Sequence, residues 1–314
     1  MKLFKNYNPK SSANSNMTHK CVYILDRQSI PEGNSITIPS FYPKRHKDKK
    51  TAYVIGTGPS LKKIDMAKLK DKTTMTFNRA YVAFEDWGFH PTYYLCIDQE
   101  DIKSIGKDVS KMVEEKKINH FFFPHQFNIG HGNKNVTQLQ DVPEPWMTFG
   151  VLSDYLYISD YNLMITGLIP NAGIMGMKMF YLMGYSEVVL LGCDARYRTD
   201  PESQRSISWD DDGCVSHENY DPNHFRDDYF GKGQRFGKPI EEKQMMRQWT
   251  QAKYEIDRIP YQIYQASGMT EKEFFDSFLP EEYDFKVYSC SEGSALNDMF
   301  PYIPFEDFLN GKRE

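Results

Sequence analysis

The sequence lacks long apolar runs, paired cysteines and an excess of basic residues, and each absence removes a class of protein. No stretch approaches the ~20 apolar residues of a spanning helix, and residues 1–16 are polar, so neither membrane crossing nor a secretory leader is expected. The five cysteines lie far apart with no C-x-x-C pair. This spacing disfavours a zinc ribbon or a disulfide framework and fits a reducing cytoplasm.

Charge and size narrow the choice further. The chain has 314 residues, with 38 Lys+Arg against 43 Asp+Glu, so no global positive field exists to hold a nucleic acid. A chain of this length can bury a core without disulfides or structural metal. Aromatic residues make up 15% of the sequence, and we expect some of them to line a ligand cleft.

Strand and helix patterns alternate after residue 50. Residues 1–50 have no sustained period and end in a lysine-rich run, which indicates an N-terminal arm; a solvated linker and a contact with anionic lipid or glycan are the two interpretations. Predicted strands are Thr51–Ile55, Thr74–Phe77, Thr92–Ile97, Asn119–Phe123, Glu187–Leu191 and Phe285–Ser289, and predicted helices are 61–70, 102–116, 172–183 and 241–268. The alternation predicts one α/β domain over 51–314 with a parallel sheet, whose ligands bind beyond the carboxyl ends of the strands.

Residues 196–239 interrupt this alternation. The segment is rich in Asp, Ser, Gly and aromatic residues and has little apolar period. Long irregular connections inside a compact domain are often lids or binding loops. We therefore predict a lid over a ligand, with a disordered surface insertion as the alternative.

The most informative motif is Gly56-Thr57-Gly58-Pro59-Ser60-Leu61, which follows the first strand. Its glycines let the backbone approach a ligand, and the start of the following helix suits a phosphate. It is neither a Walker A loop nor a full G-x-G-x-x-G, since Leu61 stands at the third glycine. The motif predicts a phosphate site, with a ligand-free tight turn as the alternative.

Polar residues also follow other predicted strands. Asn78, Asp98 and Asp194 stand at strand ends, where Asn78 and Asp98 can bond a ribose or a base edge; helix caps and turns are the alternative role. Asn171-Ala172-Gly173 opens a helix, with Asn171 as a natural N-cap and two small residues that permit close approach of a ligand.

The lid contains the candidate catalytic groups. His224 lies between Asn223 and an aromatic residue and is a candidate general base, with a surface loop histidine as the alternative. The run 210–212 is three aspartates, which suit either a divalent ion or a solvated turn.

In their order these motifs resemble those of bacterial lipooligosaccharide sialyltransferases that use a CMP-activated sugar. They also resemble the wider group that includes motility accessory factors and 6-hydroxymethylpterin pyrophosphokinases. The similarity runs from about Ala52 to Leu309 and includes Phe77-Asn78-Arg79 and Tyr288-Ser289-Cys290-Ser291. It implies a single Rossmann-like, mostly parallel sheet, a glycosyltransferase-A-like variant, with a lid inserted at about 196–239.

The resemblance also implies roles for residues. The implied donor-binding residues are Gly56, Thr57, Gly58, Ser60, Asn78, Asp98, Asn171, Ala172, Gly173 and Asp194. Tyr197 and Tyr229 match lid tyrosines that hold the donor phosphate. Lys232 stands where the family has its histidine base, so we assign that role to His224, with His217 next.

The function implied is the inverting transfer of a sialic-acid-like keto-sugar acid from a CMP donor to a hydroxyl of a cell-surface glycan, as in lipopolysaccharide biosynthesis. We expect no metal or other cofactor, a cytoplasmic location with at most peripheral membrane contact, and a possible homo-oligomer. Three alternatives stay open. They are Kdo transfer from CMP-Kdo, a non-catalytic nucleotide-binding module, and an ATP- and magnesium-dependent pterin-type diphosphotransferase with Asp98, Glu100, Asp101 and 210–212 as metal ligands.

Overall fold

A computed structural model describes most of the chain from residue 50 onward. The described ranges are 50–127, 129–130, 132–141, 155–158, 163–166, 171–197, 207–210, 213–236, 241–261, 270–277 and 284–313. The predicted N-terminal arm up to residue 49, part of the predicted lid, and Asp211 and Asp212 lie outside them. The proposed boundary between arm and domain therefore stays a prediction.

A nine-stranded sheet forms the centre of the described structure. Three further strands, β9, β10 and β11, form a separate small sheet. In chain order the described strands are β1 (Thr51–Ile55), β2 (Thr74–Phe77), β3 (Tyr93–Leu95), β4 (His120–Pro124), β5 (Val136–Asp141), β6 (Tyr155–Ile158), β7 (Leu163–Thr166), β8 (Glu187–Leu191), β9 (Ile207–Asp210), β10 (Gly213–Ser216), β11 (Arg235–Phe236) and β12 (Lys286–Ser289). The large sheet has the order β12-β8-β1-β2-β3-β4-β5-β7-β6, and only the β6–β7 pair is antiparallel. The predicted α/β fold with a single mostly parallel sheet is confirmed.

Helices cover both faces of this sheet. The α-helices are α1 (Phe84–Trp87), α2 (Gln99–Glu115), α3 (Ala172–Leu182), α4 (Glu242–Asp257), α5 (Glu271–Ser277) and α6 (Phe305–Leu309), and 3-10 helices span Pro59–Lys63, Met66–Leu69, Asn78–Ala83, His125–Phe127 and Ala295–Asp298. Within these described segments, no helix has both the length and the apolar character needed to cross a membrane.

The strand β1 shows how the two cores form. Ala52 and Val54 pack in the cluster that contains α3 and α4, whereas Tyr53 and Ile55 pack in the cluster on the α2 side. Both faces are buried, so the strand reads as a continuous apolar run rather than an alternating one. This explains why the buried strands are evident in the sequence.

The structure differs from the sequence predictions at several elements. The strands β6 and β7 were not predicted, and the helix predicted over 241–268 is described as α4, which ends at Asp257. The predicted helix 61–70 is two 3-10 helices, because Asp65 interrupts it and caps the second one by accepting from the Ala67 N–H. The strand β5 was not predicted, since it carries polar Thr137 and Gln138 inside the sheet. The lid region contains β9, β10 and β11, a small antiparallel sheet with strands too short to show a period.

The order of the strands creates a switch point beside β1. The chain runs from β1 outward through β2 to β5, and later returns to place β8 on the other side of β1. In open α/β sheets, such a point opens a crevice at the carboxyl ends of the strands. Here Gly56 N donates to Leu191 O at 2.6 Å, and a Cβ on Gly56 would lie 2.3 Å from Gly192 O. Only glycine fits this contact.

We predict that Gly56→Ala destabilises the fold by about 1–3 kcal/mol or more, because the clash is with backbone that cannot rotate away. The matched control is Gly106→Ala in α2, where an added Cβ meets nothing within 4 Å. That change should stabilise the protein by about 0.5–1 kcal/mol. Urea unfolding measures both, and equal stabilities for the two variants would contradict the packing described.

Candidate active site

The candidate site lies at the carboxyl edge of the sheet, where the polar residues predicted from the sequence come together. Gly56 follows β1, Asn78 follows β2, Asp98 lies beyond β3 and Asp194 lies beyond β8. All four strands are parallel neighbours in the sheet. The residues after them therefore share one edge.

The glycine turn after β1 is bonded within the chain. Gly58 N donates to Gly192 O at 2.8 Å, and Ser60 N donates to Asp194 Oδ2 at 3.1 Å. A Cβ on Gly58 would lie 1.9 Å from the same Asp194 oxygen. The carboxylate of Asp194 thus occupies the position predicted for a phosphate, and the Gly58 and Ser60 N–H groups are already engaged. We expected the glycines to let a ligand approach the backbone. In the structure they instead let the turn pack closely against the loop after β8.

Contacts from Ser294 and Ala295 hold the backbone at Asp194 in place. Ser294 Oγ donates to Cys193 O at 2.7 Å, and Ala295 N donates to Asp194 O at 3.0 Å. Burial raises the pKa of the Asp194 carboxyl, while the hydrogen bond from the Ser60 N–H opposes that shift. The carboxylate is thus a fixed part of the turn.

Asn78 has an unusual backbone and an unmet hydrogen-bonding atom. Its φ of 54° is left-handed, a conformation that asparagine tolerates better than most residues. The Tyr94 hydroxyl donates to Asn78 O and fixes this turn. The side-chain oxygen Oδ1 of Asn78 is buried and has no hydrogen-bond partner in the described structure. Asn78 therefore offers a ligand an acceptor.

Asp98 takes the capping role that was the alternative in the sequence. Its Oδ1 accepts from Asp101 N at 3.1 Å, and its carbonyl accepts from Ile102 N at 3.0 Å, at the start of α2. The side chain of Glu100 is not described. Over the residues that the structure describes, no three His, Cys, Asp or Glu side chains are grouped to hold a metal ion.

The start of α3 agrees with its predicted cap. Asn171 Oδ1 accepts from Ile174 N at 3.1 Å, which confirms Asn171 as the N-cap. Gln248 of α4 accepts from the Asn171 side chain at 3.2 Å. A Cβ on Gly173 would lie 3.1 Å from the Trp249 indole. The small residues Ala172 and Gly173 therefore let α4 pack closely against the start of α3. Donor contacts of these residues stay a prediction.

Residues 213–236, which we call the lid segment, lie against the strand ends. Phe225 N donates to Thr57 O at 2.9 Å, which joins the segment to the glycine turn. Arg79 N donates to the Tyr229 hydroxyl at 3.1 Å, and Arg79 Nε donates to Tyr229 O at 2.8 Å. Tyr229 is 1% exposed. The lid segment is therefore seated on β1 and β2.

Ion pairs at the surface add to this contact. Lys62 lies 2.7 Å from Asp227, and Arg226 pairs with Asp86 and Asp228. These groups are partly or largely exposed, so each pair contributes little to stability. The buried contacts of Tyr229 carry the attachment.

His224 is paired with a carboxylate inside the lid segment. Its Nδ1 lies 2.7 Å from Asp221 Oδ2, and its ring stacks on Tyr229 with centroids 4.1 Å apart and an interplanar angle of 6°. A proton on Nδ1 leaves Nε2 as an acceptor, and no described residue hydrogen-bonds Nε2. This is the arrangement of a general base with an orienting acid. His217 and Lys232, the other candidate bases, are exposed.

The two tyrosines differ in what they can offer a ligand. The hydroxyl of Tyr229 already accepts from Arg79 N, and burial raises its pKa well above the ordinary value. Burial also raises the pKa of Tyr197 to about 12, and the charges of Asp101, Asp98 and Asp221 act in the same direction. Because of this raised pKa, the Tyr197 phenol is protonated at neutral pH and can donate a hydrogen bond. The side chain is half-buried.

Two residues of the site had no role assigned from the sequence. Asp221 stands three residues before His224, and the Asp-x-x-His spacing is a signal that could have indicated the pair. Arg79 stands directly after Asn78 at the end of β2. A cation next to a strand-end asparagine was the available signal for Arg79.

Comparison with known proteins gives a family. Residues 28–200 match the model of a family described as 6-hydroxymethylpterin diphosphokinase MptE-like. The chain belongs to the MptE-like family. This confirms the wider group that the motifs resemble. No curated protein matches the sequence.

Two solved structures are similar to the chain at low identity. The MAf glycosyltransferase from Magnetospirillum magneticum AMB-1 is 12% identical with a TM-score of 0.41, and the match covers 95% of this chain and 38% of that one. The sialyltransferase CstII from Campylobacter jejuni, in complex with cytidine-5'-monophosphate, is 14% identical with a TM-score of 0.36, and the match covers 81% and 85% of the two chains. The chain thus spans 38% of the length of the MAf protein.

We predict that Asp194→Asn changes how stability depends on pH. Because burial raises the folded-state pKa of Asp194, its contribution to stability is full below the unfolded pKa of about 4 and is lost as the pH rises through the folded pKa. Asparagine keeps an acceptor for Ser60 N without this titration. The melting temperature of the variant should therefore gain on the wild type as the pH rises to neutral, as measured by calorimetry.

The exposed Asp71→Asn change is the control, and it should follow the wild type across the same pH range. If Asp194→Asn instead loses stability most at neutral pH, the carboxylate at the glycine turn is stabilised in its charged form and the description above is wrong.

Proposed function

We propose that the chain is a glycosyltransferase that moves a sialic-acid-like keto-sugar acid from a CMP donor to a hydroxyl of a cell-surface glycan, with inversion. The donor lies at the carboxyl edge of the sheet beneath the lid segment. The reaction is a single displacement through an oxocarbenium-like state, in which CMP leaves as the acceptor hydroxyl attacks. It requires a base for the acceptor proton and donors for the leaving phosphate.

The observation that carries the proposal is the Asp221–His224 pair beside the glycine turn. Asp221 orients the ring through Nδ1, and the next residue, Phe225, bonds Thr57 of the turn. The His224 ring is thus held near the strand ends, and no described residue hydrogen-bonds its Nε2. This supports His224 as the group that takes the acceptor proton, ahead of the exposed His217 and Lys232.

The phosphate has a donor in Tyr197. Its phenol is protonated at neutral pH, since burial raises its pKa to about 12. A hydrogen bond to the departing phosphate gains strength as charge builds there. Tyr229 supports the site as part of the lid attachment, because its hydroxyl is engaged by Arg79. We expect the transfer to need no metal.

We predict that His224→Ala lowers transfer by roughly 10²–10⁴-fold, the range typical of a lost general base, and leaves CMP affinity nearly unchanged. Released CMP, measured with a mixture of CMP sugars, reports the rate, and calorimetry reports CMP binding. The same mixture distinguishes sialic-acid-like donors from CMP-Kdo.

The matched control is His217→Ala, a histidine of the same segment that is exposed. It should retain the wild-type rate. Full activity in His224→Ala, with loss in His217→Ala or Lys232→Ala, would reassign the base.

A pterin-type diphosphotransferase is the second candidate, and the family description favours it. Asp98, Asp101 and Asp221 all act on the Tyr197 phenol, so carboxylates do surround this part of the site. Magnesium with ATP would need ligands from them. Within the described residues these side chains do not form a group of three, and Asp98 caps α2. The residues described do not fit a metal site, so we derive no step through one.

A nucleotide panel separates the two candidates. We predict that CMP without magnesium raises the melting temperature, whereas ATP with magnesium leaves it unchanged. A shift with ATP and magnesium alone would establish the diphosphotransferase instead. Binding of CMP with no donor hydrolysis and no transfer would indicate a non-catalytic module.

A further inference from the structure

We propose that Arg79 is the residue that holds the phosphate of the bound nucleotide, with Asn78 beside it as an acceptor for the same ligand. The inference deepens the proposed function and rests on its placement of a nucleotide at this edge of the sheet. It assigns the anion to the end of β2 rather than to the glycine turn after β1.

The first argument is that the glycine turn is occupied. The N–H groups of Gly58 and Ser60 donate to Gly192 and Asp194. The carboxylate of Asp194 also brings a negative charge to the position where a phosphate would lie. A phosphate would have to displace Asp194 and face its charge, so another group must supply the positive charge.

The second argument is the state of the Arg79 side chain. Arg79 is 9% exposed, yet no carboxylate of the described residues lies within 4.0 Å of its guanidinium. Only Nε has a hydrogen bond, to Tyr229 O, so Nη1 and Nη2 have no partner in the described structure. An arginine stays charged at any physiological pH, and burial of an unpaired charge is unfavourable.

Nearby cations provide a contrast. Lys62 is paired with Asp227, and Arg226 is paired with both Asp86 and Asp228. Those cations are more exposed than Arg79 and need a partner less. The buried Arg79 guanidinium instead lies beside the Phe230 ring, 5.5 Å from its centroid. The charge of Arg79 helps to lower the pKa of Asp228, but that carboxylate pairs with Arg226, so the buried Arg79 has no carboxylate within 4.0 Å among the described residues.

Asn78 supplies an independent observation. Its buried Oδ1 has no partner in the described residues, and the left-handed turn at φ 54° fixes where it lies. A nucleotide satisfies both residues, because its hydroxyl or amine groups donate to Asn78 while its phosphate oxygens accept from the two Nη groups. A neutral sugar or a free nucleoside satisfies only the asparagine.

The test compares phosphorylated and unphosphorylated ligands on the full chain. Calorimetry gives the affinities of CMP and cytidine, and of ATP and adenosine, for the wild type, Arg79→Gln and Arg79→Lys. Glutamine keeps a donor for Tyr229 O and removes the charge, so it preserves the lid contact. We expect the preference of the wild type for CMP over cytidine to fall at least tenfold in Arg79→Gln with cytidine affinity unchanged, and Arg79→Lys to retain part of it.

Other outcomes overturn the assignment. An unchanged preference, or an equal loss for CMP and cytidine, would make Arg79 only a structural link to the lid segment. If Arg79→Gln weakens a free keto-sugar acid but not CMP relative to cytidine, the arginine binds the sugar carboxylate instead.

A second measurement covers a variant that does not fold. In the wild type, CMP but not cytidine should shift the side-chain NMR signals of the Arg79 guanidinium, and equal shifts with both ligands would overturn the proposal. Failure of the proposed function looks different. If only the ATP and adenosine pair depends on Arg79, the glycosyltransferase proposal fails and the phosphate assignment stands.

Discussion

The contact between Arg79 and Tyr229 determines the rest of the site. Arg79, at the end of β2, bonds the hydroxyl and the carbonyl of Tyr229, a lid-segment residue that stands 150 positions later in the chain. That contact positions His224, which stacks on the Tyr229 ring, and places Phe225 against the glycine turn. Together with the Phe225–Thr57 hydrogen bond, it places the Asp221–His224 pair against the sheet.

Negative and positive side chains are unevenly distributed along this edge of the sheet. Asp194 is half-buried at the glycine turn and accepts from the Ser60 N–H, whereas Arg79 is buried and has no carboxylate within 4.0 Å among the described residues. The negative and positive positions are thus separated between two neighbouring strand ends. Our proposal therefore puts the ligand phosphate at the end of β2 and the neutral parts of the ligand beside β1 and β8.

The sequence predicted those features that depend on neighbouring residues. The buried strands, the shared edge of their carboxyl ends and the Asn171 cap follow from local patterns, and the structure has them. It could not show that Asp194 would fill the glycine turn, because that contact joins residues 134 positions apart. The sequence also could not show the importance of Arg79, because this depends on which hydrogen-bond partners its guanidinium lacks in the folded chain. The short strands of the lid region and the polar β5 lack a period that could be detected.

The chain belongs to the MptE-like family, and which nucleotide it binds is the part of the proposal that the candidate site carries. A crystal structure of the chain with CMP tests the central claim most directly. We predict the phosphate within hydrogen-bond distance of Arg79 Nη1 or Nη2, under the lid segment, with His224 Nε2 facing the position of the sugar. CMP bound elsewhere, for example in the groove of about 490 Å³ along α2 that includes Lys107 and Lys111, would contradict the account.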